Sequence, residues 1–150
     1  MRSRFRRSRS LSGFSLIEML IVVTLMGVML AIAAPRVREA ALTQNVRNAR
    51  AAVANLYARA RIYAVQQRVP VTLQFGADST AWITAPLGAG LDTIGAVAQL
   101  GREFGVQVTA SGNVSISPLG LVNAGTPITV SVTKSGHSDS VVISGYGRIQ

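Results

Sequence analysis

The stretch SGFSLIEMLIVVTLMGVMLAIAAP, residues 12–35, decides the fold of this chain. Residues 14–34 carry one charged side chain, Glu18. A helix of that length spans about 30 Å, the thickness of the hydrocarbon core of a bilayer. A secretory signal peptide has a shorter apolar region, about 7–15 residues, before a small-residue cleavage site. The small residues at 31–34 leave that alternative open, and it predicts a soluble domain that starts near Pro35.

Glu18 favours a membrane or assembly helix over a signal peptide. A carboxylate within an apolar span is costly and indicates a partner. If the chain is cut before Phe14, the new α-amino group lies one helical turn from this carboxylate. In an assembly, the amino terminus of a neighbouring subunit can meet Glu18 instead. Either pairing offsets the desolvation cost of both charges, so we expect Glu18 to act in assembly.

Composition excludes several classes of protein. The chain has 150 residues, a hydrophobic fraction of 49% and a formal net charge of +9. It is too apolar for a disordered basic tail. Because it has no cysteine, it holds no disulfide, thiolate zinc site or iron–sulfur cluster, and its single histidine, His137, excludes a histidine metal cluster.

The positive charge is concentrated in two segments. Five arginines precede residue 10, and by the positive-inside rule they place the N-terminus in the cytoplasm and translocate the rest. Most of the other arginines lie between Pro35 and Pro70. Residues 69–150 are nearly neutral. A basic chain often binds nucleic acid or an anionic membrane, so the position of these charges matters.

A second helical segment follows Pro35, which we expect to end or kink the apolar helix. Its apolar stripe has helical spacing, with members Val46, Ala49, Val53, Leu56, Ala60 and Tyr63. Four arginines lie together on one flank of this helix: Arg47, Arg50, Arg61 and Arg68. That flank is a solvated face, a contact surface for neighbouring acidic subunits, or a ridge that binds phosphate groups.

The remainder predicts a mostly antiparallel β head. Alternating apolar residues indicate strands at 69–75, 80–84, 128–132 and 141–144. Segments 103–109 and 113–117 are predicted to form a hairpin, and 85–101 to be a loop with a weak strand or short helix. The expected fold class is α+β, with a long N-terminal helix, transmembrane and then amphipathic, packed on the head.

The sequence contains no pattern typical of a catalytic, calcium-binding or phosphate-binding site. His137 is expected in a solvated Gly/Ser turn, and its close neighbours Ser135 and Asp139 do not make a triad, which needs separated elements. The acidic residues of the head lack calcium-loop spacing. Gly88 and Gly90 are not followed by the glycine pattern that precedes the helix of a phosphate-binding loop. We expect no enzyme activity, cofactor or metal.

Residues 12–20, SGFSLIEML, resemble the type III signal of type IV pilins and type II secretion pseudopilins. The resemblance implies cleavage after Gly13 by a prepilin peptidase, which also methylates the new N-terminal Phe14. It makes Glu18 the fifth residue of the mature chain, which recruits and aligns subunits. Removal of the five leader arginines leaves a net charge of +4, ten basic against six acidic residues.

Three further segments narrow the resemblance to the GspH/FimT family of minor pseudopilins and minor pilins. They are the helix-to-strand region at 47–73, the ISPLG segment at 116–120 and the VVISGYGRI segment at 141–149. The implied division is a prepilin leader at 1–13, a transmembrane assembly helix at 14–34, an amphipathic helix at 35–68 and a periplasmic head at 69–150.

The family resemblance implies a minor pseudopilin of the type II secretion system, anchored in the bacterial inner membrane by a single span. Its partners would be other pseudopilins or pilins, the inner-membrane assembly platform and the prepilin peptidase. The alternative is a FimT-like minor pilin of pilus biogenesis or DNA uptake, in which Arg148 would contact nucleic acid. That motif normally ends in a second arginine, whereas this chain ends in Ile149 and Gln150.

Overall fold

The computed structural model describes residues 14–88, 90–123 and 126–150. It divides into two compact units, Met1–Arg38 and Glu39–Gln150. The expected leader, including Gly13, lies outside the described residues. The first helix, α1, comprises Leu16–Gln67 and includes Pro35. Pro35 therefore does not end the helix, and the kink at this residue stays a prediction.

The described part of the first unit is apolar helix. Every large hydrophobic side chain between residues 14 and 32 is exposed. The most apolar window has a mean hydropathy of 2.6, and none of it is buried inside the protein. Among the described residues, α1 is the one helix long and apolar enough to cross a membrane.

In the second unit, the buried stripe of α1 follows the predicted spacing. Its members are Val46, Ala49, Val53, Leu56, Tyr57, Ala60 and Ala64. The prediction is confirmed up to Ala60, after which Ala64 is buried and Tyr63 is only half-buried. The buried residues of this stripe belong to one cluster with apolar side chains of both sheets. Each fully buried valine or leucine contributes about 1.5–3 kcal/mol to stability.

Two antiparallel sheets pack against this stripe within the described residues. The first has the strand order β3-β2-β1-β5, with β1 at Val71–Gly76, β2 at Thr80–Leu87, β3 at Gly90–Gln99 and β5 at Val114–Ile116. The second has the order β4-β6-β7, with β4 at Gln107–Ala110, β6 at Ile128–Lys134 and β7 at His137–Ile143. A short helix, α2, at Leu100–Phe104 connects them. The predicted α+β class is confirmed.

Two local predictions are wrong. Residues 85–101 are mostly strand rather than a loop with one weak strand or short helix, because β2 continues to Leu87 and β3 pairs with it. The segments predicted as a hairpin belong to different sheets, since β5 pairs with β1 and β4 pairs with β6. Short alternating segments do not reveal their partner strands, which depend on tertiary packing.

The C-terminal residues add a further short pairing to the second sheet. Val142 and Gln150 exchange two backbone hydrogen bonds, of 3.1 and 3.0 Å. The turn between them has a hydrogen bond from the Gly147 amide to the Ser144 carbonyl, 2.8 Å long. The chain end thereby covers the edge of β7 and brings Gly147 and Arg148 to α1.

Candidate functional site

The start of α1 is built around Ser15 and Glu18. The Ser15 hydroxyl accepts a hydrogen bond from the Glu18 amide at 3.2 Å, which caps the helix. The Ser-x-x-Glu spacing is that of a capping box. The carboxylate of Glu18 lies in the first turn, where the helix dipole favours a negative charge. Within the described residues, no basic side chain lies within ion-pair distance of Glu18.

The exposed apolar surface next to Glu18 has little polar interruption. Thr24 lies in its middle, and its hydroxyl donates to the backbone carbonyls of Leu20 and Ile21, at 3.0 and 2.8 Å. The one hydroxyl of this turn is thus satisfied by the helix itself. Phe14 is 71% exposed at the start of the same surface. A helix that is apolar on all sides needs lipid or other helices around it.

The structure separates the arginines of the predicted flank. Arg50 Nε lies 3.4 Å from Asp139 Oδ1 and donates to the Ser140 carbonyl at 3.0 Å. Arg47 lines a nearby cavity of about 200 Å³, also next to Asp139. Arg68 is exposed at the end of α1, with a φ of 57°. These three arginines therefore do not converge on one site.

His137 departs from its predicted place. It is the first residue of β7 rather than part of an open turn, and it is half-buried. Its Nδ1 atom lies 3.4 Å from the Thr43 hydroxyl of α1. The turn itself contains Ser135, which has a φ of 47°. His137 thus helps to hold the sheet on the helix.

Arg61 and Arg148, by contrast, are brought together. They line a groove of about 760 Å³ between α1 and the C-terminal segment. The other lining residues are Tyr57, Ala58, Ile62, Val65, Gln66, Gly147 and Ile149. We call this site the α1/C-terminal groove. Its walls are mainly apolar, and its two guanidinium groups make it basic.

Two glycines allow the groove to form. Gly120 and Gly147 both have a φ of 75°, which L-residues with a Cβ rarely adopt. A Cβ on Gly120 would stand 3.0 Å from Val65 Cγ2 and 3.1 Å from Arg61 Nε. A Cβ on Gly147 would stand 2.8 Å from the Tyr57 hydroxyl. Both loops therefore lie directly on one stretch of α1.

Tyr57 joins the helix to the chain end beneath the groove. Its side chain is buried, and its hydroxyl donates to the Gly147 carbonyl at 3.2 Å. Burial raises the pKa of the Tyr57 hydroxyl above its usual value of 10.0, and the positive charge of Arg61 opposes that shift. The hydroxyl is therefore a neutral donor at physiological pH.

Sequence reasoning named Arg61 and Arg148 but did not place them in one groove. The available signal was the pair of glycines in the 116–120 and 141–149 segments, since a glycine often marks a close backbone approach. The spacing of these glycines in the sequence, however, does not predict that both approach the same helix. Within the described ranges, no group of three or more metal-ligating side chains occurs.

Family comparisons agree with this architecture. The prokaryotic N-terminal methylation motif matches residues 9–34, and the model of the type II transport protein GspH matches residues 49–147. The chain belongs to the GspH family. The resemblance to the GspH family that the sequence predicted is confirmed. Members of this family serve as pilin or pseudopilin subunits.

Solved structures of similar fold include both kinds of subunit. The type IV minor pilin FimU of Pseudomonas aeruginosa has a TM-score of 0.60 at 17% identity, over 71% of this chain and 87% of FimU. The minor pseudopilin EpsH of the Vibrio cholerae type 2 secretion system has a TM-score of 0.59 at 12% identity, over 71% of this chain and 94% of EpsH. No curated protein sequence matches significantly. This GspH-family chain thus has the pilin-like fold of these subunits.

Proposed function

We propose that the chain is a minor pseudopilin of the type II secretion system, a structural subunit of the periplasmic pseudopilus. The observation that carries the proposal is the apolar part of α1, which has no buried residue inside the protein. Such a surface is stable in lipid before assembly and among other apolar helices afterwards. The match to the model of the type II transport protein GspH supports protein secretion as the process in which the chain takes part.

The N-terminus is processed before assembly. Prepilin peptidase removes residues 1–13, and Phe14 becomes a methylated N-terminal residue. The leader arginines keep the N-terminus cytoplasmic and place the head in the periplasm. In the pseudopilus, the carboxylate of Glu18 pairs with an N-terminal amine of a neighbouring subunit, which offsets the cost of placing both charges among apolar helices.

Processing is tested by mass spectrometry of the chain from cells with and without prepilin peptidase. We expect a mature chain that begins at methylated Phe14 only where the peptidase is present. Gly13→Val should leave the full-length chain. A start near Pro35 would instead support a cleaved signal peptide and overturn the proposal.

Assembly is tested with Glu18→Ala, and Glu39→Ala serves as the matched control. Both glutamates lie on α1 and are exposed, but Glu39 belongs to the second unit. We expect Glu18→Ala to insert into the membrane normally and to lose co-purification with other pseudopilins. Glu39→Ala should co-purify as the unchanged chain does. Equal recovery of both variants would contradict the role of Glu18.

A second candidate function is that of a type IV minor pilin. It is favoured by the similarity to FimU, whose TM-score of 0.60 is level with the 0.59 of EpsH. Deletion of the gene in its host distinguishes the two. Loss of secreted enzymes with intact surface pili supports the secretion subunit, whereas loss of pili with normal secretion supports the minor pilin.

A further inference from the structure

The α1/C-terminal groove has features of a binding surface. Ile62 and Val65 are 54% and 48% exposed on its helical wall, and Ile149 is 39% exposed on the other. Soluble surfaces rarely leave large apolar groups together without a partner. Arg61 and Arg148 add positive charge, and no described carboxylate pairs with either of them. The groove therefore suits a segment that is both aliphatic and acidic.

The β2–β3 arm of the same chain has that chemistry. We define it by Leu87, Leu91 and Asp92, where the two strands extend past the core. Leu87 and Leu91 are 50% and 75% exposed, and Asp92 is also exposed. Leu87 pairs with Gly90 and Ala85 pairs with Asp92. Directly opposite residues point to the same face of a sheet, and so do residues two apart on one strand, such as Ala85 and Leu87. Leu87 and Asp92 therefore share one face of the arm.

The arm and the groove lie on opposite flanks of α1. Arg59 Nη2 is 3.8 Å from the position of a Cβ on Gly95, so Arg59 lies beside β3. Arg61 lines the groove, and two residues along a helix turn its side chain by about 160° from that of Arg59. The helix thus separates the arm from the groove of its own chain.

We propose that the arm of one copy docks in the α1/C-terminal groove of a second copy. Leu87 packs against Ile62 and Val65, and the carboxylate of Asp92 lies between Arg61 and Arg148. Because arm and groove are different surfaces, each copy keeps one of them free. The contact is heterologous, because it joins two different surfaces of the chain. The inference goes beyond the proposed function and does not depend on which machine the chain serves.

Cysteine cross-linking of the full chain in detergent tests the contact directly. The chain has no cysteine of its own, so introduced thiols report only the chosen positions. A mixture of Leu87→Cys and Ile62→Cys chains should give a disulfide-linked dimer on mild oxidation. Each variant alone should give little, and so should Leu87→Cys mixed with Thr109→Cys. Thr109 is exposed on β4, outside both surfaces.

A charge exchange separates the proposed contact from association through the apolar helices. In the same cross-linking pair, Asp92→Arg alone or Arg148→Asp alone should lower the dimer yield by up to about fivefold, the range of an exposed ion pair. The two changes together, one in each partner, should restore the yield.

Several outcomes overturn the proposal. Equal cross-linking to Thr109→Cys would indicate random collision, and dimers of one variant alone would indicate a symmetric contact. Absence of the mixed dimer, or no effect of the charge changes, would also remove it. Cross-linking of Ile62→Cys in its host to a different filament protein, with no self-dimer, would assign the groove to that protein. None of these results bears on prepilin processing, which tests the proposed function separately.

Discussion

The Tyr57 hydroxyl donates a hydrogen bond to the carbonyl oxygen of Gly147, 3.2 Å away. These residues are 90 positions apart, and the bond fixes the end of the chain to the C-terminal part of α1. It lies beneath the groove that Arg61 and Arg148 line. The geometry of the groove therefore depends on a contact that involves neither arginine.

Tyr57→Phe should destabilise the head by about 1 kcal/mol, the net contribution of one buried hydrogen bond. The matched control is Tyr146→Phe, because the Tyr146 side chain is 84% exposed and should lose nothing. Urea unfolding of the full chain in detergent, followed by the fluorescence of its single tryptophan, Trp82, measures both. Equal midpoints for the two variants would show that the Tyr57 bond contributes no stability.

Gly147→Ala should cost more stability than Gly136→Ala. Both glycines have positive φ angles, 75° and 85°, so both variants carry a backbone penalty of about 1 kcal/mol. Only the new Cβ at Gly147 meets an obstacle, the Tyr57 hydroxyl at 2.8 Å, whereas nothing lies within 4 Å at Gly136. The same unfolding experiment compares them. Indistinguishable losses would indicate that the chain end moves away from α1 freely.

Alkaline pH should weaken the head through Tyr57. Burial raises the pKa of this hydroxyl in the folded state above its unfolded value of 10.0. Above that value the unfolded chain gives up a proton that the folded chain retains, so stability falls as pH rises. Below it the contribution is fully present and constant. Unfolding between neutral pH and pH values above 10.0 should show a smaller alkaline loss in Tyr57→Phe than in the unchanged chain. Identical slopes would assign the loss to other groups.

DNA binding by the described arginines should be weak and only slightly salt-dependent. Asp139 offsets the charge of Arg50, and only Arg61 and Arg148 share the groove. Two phosphate contacts give a slope of log affinity against log salt of about −2. Titration of the full chain in detergent with duplex DNA over a salt series measures the slope. A slope several times steeper, reduced by Arg61→Gln and Arg148→Gln, would favour the DNA-uptake alternative. Arg102→Gln on α2 is the control.

The sequence by itself determined the plan of the molecule. Glycine, an aromatic residue and Glu18 ahead of an uninterrupted apolar run predicted the N-terminal helix and the family, because that spacing is specific. Helical periodicity predicted the buried stripe from Val46 to Ala60, since each buried position repeats after three or four residues. Period-two alternation located β1, β6 and β7, where one face of each strand is buried.

Tertiary structure alone decided which strands pair and which arginines meet. Strands β4 and β5 follow each other closely, yet β4 pairs with β6 and β5 pairs with β1, so they belong to different sheets. Helical angles placed Arg50 and Arg61 on one flank, but β7 brings Asp139 to Arg50 and the chain end brings Arg148 to Arg61. A helical pattern records which side a residue faces. The residues that pack on that side are decided by contacts between distant segments, such as that of Tyr57 with Gly147. The local spacing of residues does not predict such contacts.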